Sequence, residues 1–141
     1  MFSSELLSQM IQDAKQQRQH LVRIAQLIQQ GETQKAKEAL AAFSHQFAHD
    51  VRAHFHAALF YEHLQAWADA FREIALAIFL EPDDHVRGIY YPLAARYLAK
   101  MGITAPIDAV LERGWQMCKT LYRPSERELR KQEYFQQGNR D

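Results

Sequence analysis

Histidine is the residue type that stands out first. The chain carries seven among 141 residues, and five of them fall between 45 and 63 (His45, His49, His54, His56, His63). On one continuous helix His45, His49, His56 and His63 would lie within about 40° of each other. His45 and His49 are i, i+4, a spacing that lets two imidazole nitrogens share a transition metal. The same pattern fits a solvated helix face, because Phe43, Phe47, Val51 and Ala58 would occupy the opposite side. A pH-sensitive interface is a third reading of clustered imidazoles. His54 sits on the apolar side and reads as a hydrogen-bonded core residue.

Other chemistry is sparse. The single cysteine, Cys118, excludes an internal disulfide and a thiolate zinc cluster. It lies among Leu111, Trp115 and Leu121 and reads as a small apolar side chain. A catalytic thiol needs an oriented base, and no local signature supplies one. G-x-S-x-G, H-E-x-x-H and a glycine-rich phosphate loop are all missing from a chain with five glycines. The expectation is a protein that is not an enzyme and holds no cofactor.

Seventeen basic side chains balance seventeen acidic ones, which argues against a nucleic-acid or anionic-membrane binder. Residues 50–84 hold seven acids against Arg52 and Arg72, and residues 119–141 hold six bases against four acids. Such unevenness fits solvated faces, self-association or a charged partner. Arg123, Arg127, Arg130 and Lys131 interleave with Glu126, Glu128 and Glu133 at helix-pair spacings. No apolar run approaches a membrane span, and the N-terminus has no basic stretch leading into an apolar one. A cytoplasmic location is expected.

The elements that must position these residues are helices. Neither glycine nor proline occurs between Gly31 and Pro82, a stretch rich in helix formers. No segment alternates with period two, so no strand is expected. Ser3 or Ser4 can cap a first helix with the stripe Leu7, Met10, Ala14, Leu21, Ile24, Ile28, ending at Gly31. Further helices are expected from Thr33 to the Phe47–His49 region, over 51–64 and over 67–80, where Pro82 ends the last. Asp84 is expected to cap the next segment. Pro92 suits the first turn of a helix reaching Met101, with Gly102 as its stop. Thr104 can cap a helix from Pro106 to Tyr122. Ser125 and Glu128 form the capping box of a last one. Short turns make neighbours antiparallel.

The fragments LIQQGETQKAKEAL and YEHLQAWADAFREI align at an offset of 34, pairing Leu27 with Tyr61, Thr33 with Trp67, Ala36 with Ala70 and Leu40 with Ile74. Residues 51–84 resemble a tetratricopeptide repeat. Ala58 supplies the small residue before Tyr61. Trp67 stands after the turn, and Ala70, Ala77 and Pro82 fall at the repeat's spacings. Two departures are clear: the glycine beside the small residue is missing, and Gln65 occupies the tight-turn position. Flanking hairpins at 17–50 and 85–124 are more degenerate, and the third needs two extra residues in its turn. The resemblance implies an all-α domain over 1–141. It comprises an N-terminal helical extension at 3–16, three stacked antiparallel hairpins and a capping helix at 125–138. A generic helical bundle remains the alternative.

Carried over residue by residue, the first helix of each hairpin would line a groove. Arg18, Leu21, Ala25 and Gln29 come from the first, Arg52, Phe55, Leu59, Glu62 and His63 from the second, and Arg96 and Lys100 from the third. Such a surface suits a protein or peptide partner with acidic and hydrophobic side chains. The paired asparagines of the family's carboxylate clamp have no counterpart, since Asn139 is the only asparagine. Residues 3–14 or a second subunit could fill the groove instead. The expected function is a non-enzymatic interaction module, an adaptor or small chaperone. The rivals are a metal-binding bundle using His45 and His49 and a structural homo-oligomer. The tyrosines Tyr90 and Tyr91 are expected between helices.

Overall fold

A computed structural model describes residues 4–118 of the chain. Among them the protein forms six helices and no strand: α1 (Ser4–Gln29), α2 (Thr33–Gln46), α3 (Val51–His63), α4 (Trp67–Leu80), α5 (Asp84–Lys100) and α6 (Ile107–Cys118). The all-helical expectation holds. None of these helices is long and apolar enough to cross a membrane. The chain divides into two compact units, Met1–Ile103 and Thr104–Asp141. In the first, α1 packs on α2, α2 on α3, α3 on α4 and α4 on α5. In the second, α6 begins after Pro106. The 125–138 cap and the basic cluster at 123–131 lie outside the described residues, as does the end of the third hairpin.

The local reasons for these elements recur along the chain. After α1, Gly31 adopts φ +75°, Gly31 N–H donates to Ile28 C=O, and Glu32 N–H reaches back to Leu27 C=O. After α3, Gln65 adopts φ +59°, with Gln65 N–H on Glu62 C=O and Ala66 N–H on Tyr61 C=O. After α5, Gly102 adopts φ +74° and Ile103 N–H reaches Leu98 C=O. Each is the same six-to-one helix stop, which satisfies terminal carbonyls by a left-handed residue. Gln65 takes that conformation without glycine's freedom, a strain on the order of 1 kcal/mol.

The break between the pairs is also local. Asp50 Oδ1 accepts from the N–H groups of Arg52 (2.9 Å) and Ala53 (3.4 Å), starting α3 afresh. Asp83 does the same for α5 through His85 (2.8 Å) and Val86 (3.4 Å). Asp83, rather than the expected Asp84, is therefore the cap. It is the residue with extended backbone, so its carboxylate can face the open N–H groups.

Pro92 does not begin a helix but sits inside α5. The residue at i−4, whose carbonyl would meet the proline ring, is Gly88. Both are exposed, so water can serve the carbonyl that loses its donor. α5 has seventeen residues against thirteen in α3, and residues 101–106 lead from it to α6 where 30–32 follow α1 and 64–66 follow α3.

Packing follows the paired positions. Ala36 and Ala70 are fully buried, as are Leu40 and Ile74. The alanines let α2 and α4 approach their neighbours closely. Buried side chains the size of Leu40, Phe43 and Ile74 contribute roughly 1.5–3 kcal/mol each. Tyr90 is buried against Phe55, with ring centroids 5.3 Å apart, as expected of an inter-helix tyrosine.

Candidate functional site

Between α1 and α3 lies an open groove of about 460 Å³. Ala25, Ile28 and Gln29 form one wall, and His56, Leu59, Phe60 and His63 form the other. Helical periodicity explains the second wall: 56, 59, 60 and 63 are spaced i, i+3, i+4 and i+7, so one face of α3 presents all four. The α3 face that carries Ala53, Ala57, Ala58 and Tyr61 is buried. The groove is large enough for a few side chains of a partner, within the range of specific binding sites. Leu59 is 39% exposed inside it, an apolar group held in water.

Of the expected groove residues, Ala25, Gln29, Leu59 and His63 line this space. Arg18 and Arg52 are exposed and make no ion pair among the described residues. Leu21 is half-buried on α1. Phe55 is half-buried between Tyr90 and His56, whose ring lies 5.8 Å away. The remaining three are engaged by the chain itself. Glu62 pairs with Arg96 and accepts from the Tyr97 hydroxyl at 3.1 Å. Lys100 Nζ lies 5.5 Å over the Trp67 ring. Ile28, His56 and Phe60 are lining residues that the repeat pattern passed over. Their i, i+3 spacing from Ala25, Leu59 and His63 on the same helices is the signal that would have found them.

Burial lowers the His56 imidazole below its ordinary value; Asp50 opposes that shift and Arg52 adds to it. The Tyr97 phenol is raised, chiefly by burial and then by the Glu62 charge that accepts its hydrogen bond.

A second polar cluster lies on the other side of α3. His54 and Glu73 have side chains only 2% exposed. His54 Nδ1 is 2.6 Å from Glu73 Oε2, His54 Nε2 is 2.7 Å from Ala48 O, and Ser44 Oγ donates to Glu73 Oε2 at 2.9 Å. Arg72 approaches Glu73 Oε1 at 3.6 Å. Both ring nitrogens face oxygen acceptors. The cluster contains the side-chain types of a serine–histidine–acid triad without its geometry. Serine and carboxylate meet the same nitrogen, and a backbone carbonyl closes the other. It ties α2, α3 and α4 together at one point. His54 is thus the hydrogen-bonded core residue expected of it.

The histidine row does not form. α2 stops at Gln46, so His49 falls in the turn and loses its i, i+4 relation to His45. The cause is the Asp50 cap, which is also held by Gln17 Nε2 at 2.6 Å. Both His45 and His49 are exposed. Among the described residues no three His, Cys, Asp or Glu side chains converge as a metal site. Nor do residues 4–14 fold back into the groove, because they continue α1.

Compared with protein-family models, curated proteins and solved structures, the chain finds no match.

Proposed function

We propose that this chain is a tetratricopeptide-like interaction module, an adaptor or small chaperone acting in the cytoplasm without catalysis of its own. Its α1/α3 groove takes the apolar face of a partner helix or peptide that carries acidic flanks. The observation that carries this reading is the groove itself, where Ile28, Leu59 and Phe60 sit beside His56 and His63 with Arg18 and Arg52 exposed on the same two helices. Apolar anchors in such a groove supply affinity, and the unpaired guanidinium groups favour carboxylates at its edge.

The likeness to the repeat family rests on backbone as well as sequence. Three helix stops share one geometry, two Asp caps stand 33 residues apart at Asp50 and Asp83, and the first helices join at the repeat distance through Glu62 and Arg96. These repeats support stacked hairpins over a generic bundle.

The test is fluorescence anisotropy with a labelled amphipathic helical peptide bearing leucines at i, i+4 and i+7 and glutamates beside them. Binding to the full chain should be lost in Leu59→Asp and weakened in Arg52→Glu, with helicity retained. A peptide with lysines for glutamates should bind less tightly. Binding unchanged by Leu59→Asp would remove the groove from consideration.

A further inference from the structure

Two histidines stand in the α1/α3 groove, and they differ in their access to water. His56 is half-buried and His63 is exposed. Leu59 and Phe60, at i+3 and i+4 from His56, share its wall, and Ala25 and Ile28 line the wall opposite. His54, two positions earlier, turns to the other side of α3, where Glu73 and the Ala48 carbonyl meet both of its nitrogens. His56 has no such pair. Among the described residues its ring lies 5.8 Å from the Phe55 ring and no side chain bonds it, so water in the open groove serves its nitrogens.

The charges that act on His56 come from the start of its own helix. Arg52, one turn earlier and exposed, opposes a proton on the ring. Asp50 favours one, but its carboxylate already accepts from the N–H groups of Arg52 and Ala53 and from Gln17. The neighbouring helices turn their charges elsewhere. On α1, Lys15, Arg18 and Arg23 are exposed, and His20 lies against Phe43 and Phe47. On α2, Lys35, Glu38 and His45 are exposed. On α4, Arg72 meets Asp69 and Glu73, and Glu73 meets His54. On α5, Arg96 meets Glu62. Burial therefore outweighs the charges and holds the His56 imidazole below its ordinary value.

We infer that His56 makes the groove a proton-linked seat: a partner's apolar side chain packs on the neutral imidazole, and the groove releases it as the ring takes up a proton. This inference rests on the groove reading above and adds its regulation. An apolar side chain set among Ile28, Leu59 and Phe60 displaces the water that serves the ring. A neutral imidazole tolerates that loss far better than an imidazolium, whose charge would be desolvated beside Arg52. Seating and protonation thus oppose each other, and linkage fixes the sign. Affinity is complete above pH 6.5 and falls as pH drops through the value of the unliganded groove, by up to about tenfold per pH unit. Glutamates on the partner stay ionised over this range and do not supply the dependence.

The full chain is titrated with the labelled leucine–glutamate peptide between about pH 7.5 and about pH 5.5, with far-UV circular dichroism at each pH. Affinity should fall about threefold or more across that range while helicity is retained. His56→Gln and His56→Leu should both bind with a flat pH profile. His63→Gln should keep the dependence of the parent. Reciprocity supplies a second readout: saturating peptide should move the NMR titration of the His56 ring to lower pH.

An affinity that is flat or rises on acidification overturns the inference; a rise would place a carboxylate against the ring instead. A fall that survives both His56 substitutions, or vanishes in His63→Gln, overturns it too, as does a His56 titration that the peptide leaves in place. Each of these leaves the groove reading standing where binding at neutral pH still requires Leu59. Binding that never depends on Leu59 removes both.

Discussion

Replacing Glu73 by alanine should be among the most damaging single changes to this fold. The substitution removes the hydrogen-bond partner of His54 Nδ1 at 2.6 Å and the acceptor for Ser44 Oγ at 2.9 Å, at a point where the histidine and glutamate side chains are 2% exposed. Arg72 loses a partner at 3.6 Å, but its side chain is 50% exposed and water replaces it. The buried imidazole and the half-buried hydroxyl left without a partner decide the magnitude. Breaking one side of a buried pair costs about 3–5 kcal/mol, against a total stability of roughly 5–15 kcal/mol for a domain. The companion His54→Leu should cost a similar amount by stranding the carboxylate. The double variant His54→Leu/Glu73→Leu should lie much closer to the parent than the sum, because two apolar groups leave neither partner stranded. Urea unfolding followed by circular dichroism gives all four corners of this cycle. A Glu73→Ala cost below about 1 kcal/mol, or additive losses in the double variant, would refute the view that this pair pins α3 between α2 and α4. The opposite face of α3 carries His56, Leu59 and Phe60, so groove binding should weaken in the same order as stability.

Four further outcomes are expected. Gln65→Gly should stabilise by about 0.5–1 kcal/mol in the same unfolding assay, since glycine relieves the left-handed backbone at φ +59°. Arg96→Glu should lower the thermal midpoint by setting a second carboxylate against Glu62 at a half-exposed site, a loss of roughly 1 kcal/mol. Arg52→Glu, with no ion pair to break, should leave the midpoint unchanged and weaken only peptide binding. The fourth outcome concerns pH. The His56 imidazole is lowered below its ordinary 6.5 mainly by burial, so the unfolded chain takes up a proton there more readily than the folded one. Its contribution to stability is complete above pH 6.5 and is lost as pH falls through the folded value. Denaturation midpoints should fall with acidification on this account, and His56→Gln should shallow that slope.

Much of the helical order is legible in the residues because its causes are local. Gly31 and Gly102 stop helices, Asp50 starts one, Pro82 follows the end of another, and each acts within a turn of its own position. Exposed backbone sets the limits of such reading. Pro92 reads as a helix start, yet Gly88 and open solvent let α5 pass through it. Gln65 carries no mark of a left-handed turn, and the backbone bonds of the α3 stop hold it there while α3 packs on α4.

The candidate groove divides in the same way. Its helices follow from the amphipathic period, and four of its residues, Ala25, Gln29, Leu59 and His63, are among those that the tetratricopeptide resemblance implied. Which cations stay free does not. Arg96 and Lys100 read like Arg52, but Glu62 and Trp67 claim them across helices that meet only in the folded chain. Glu73 has no signature at all in a run of ordinary helix residues. It is buried because His54 and Ser44, 19 and 29 positions away, arrive at the same point. Sequence by itself determined where the backbone turns, since capping, glycine and proline act over a few bonds. Tertiary structure alone decided which polar groups are spent on each other, since that depends on which helix faces meet.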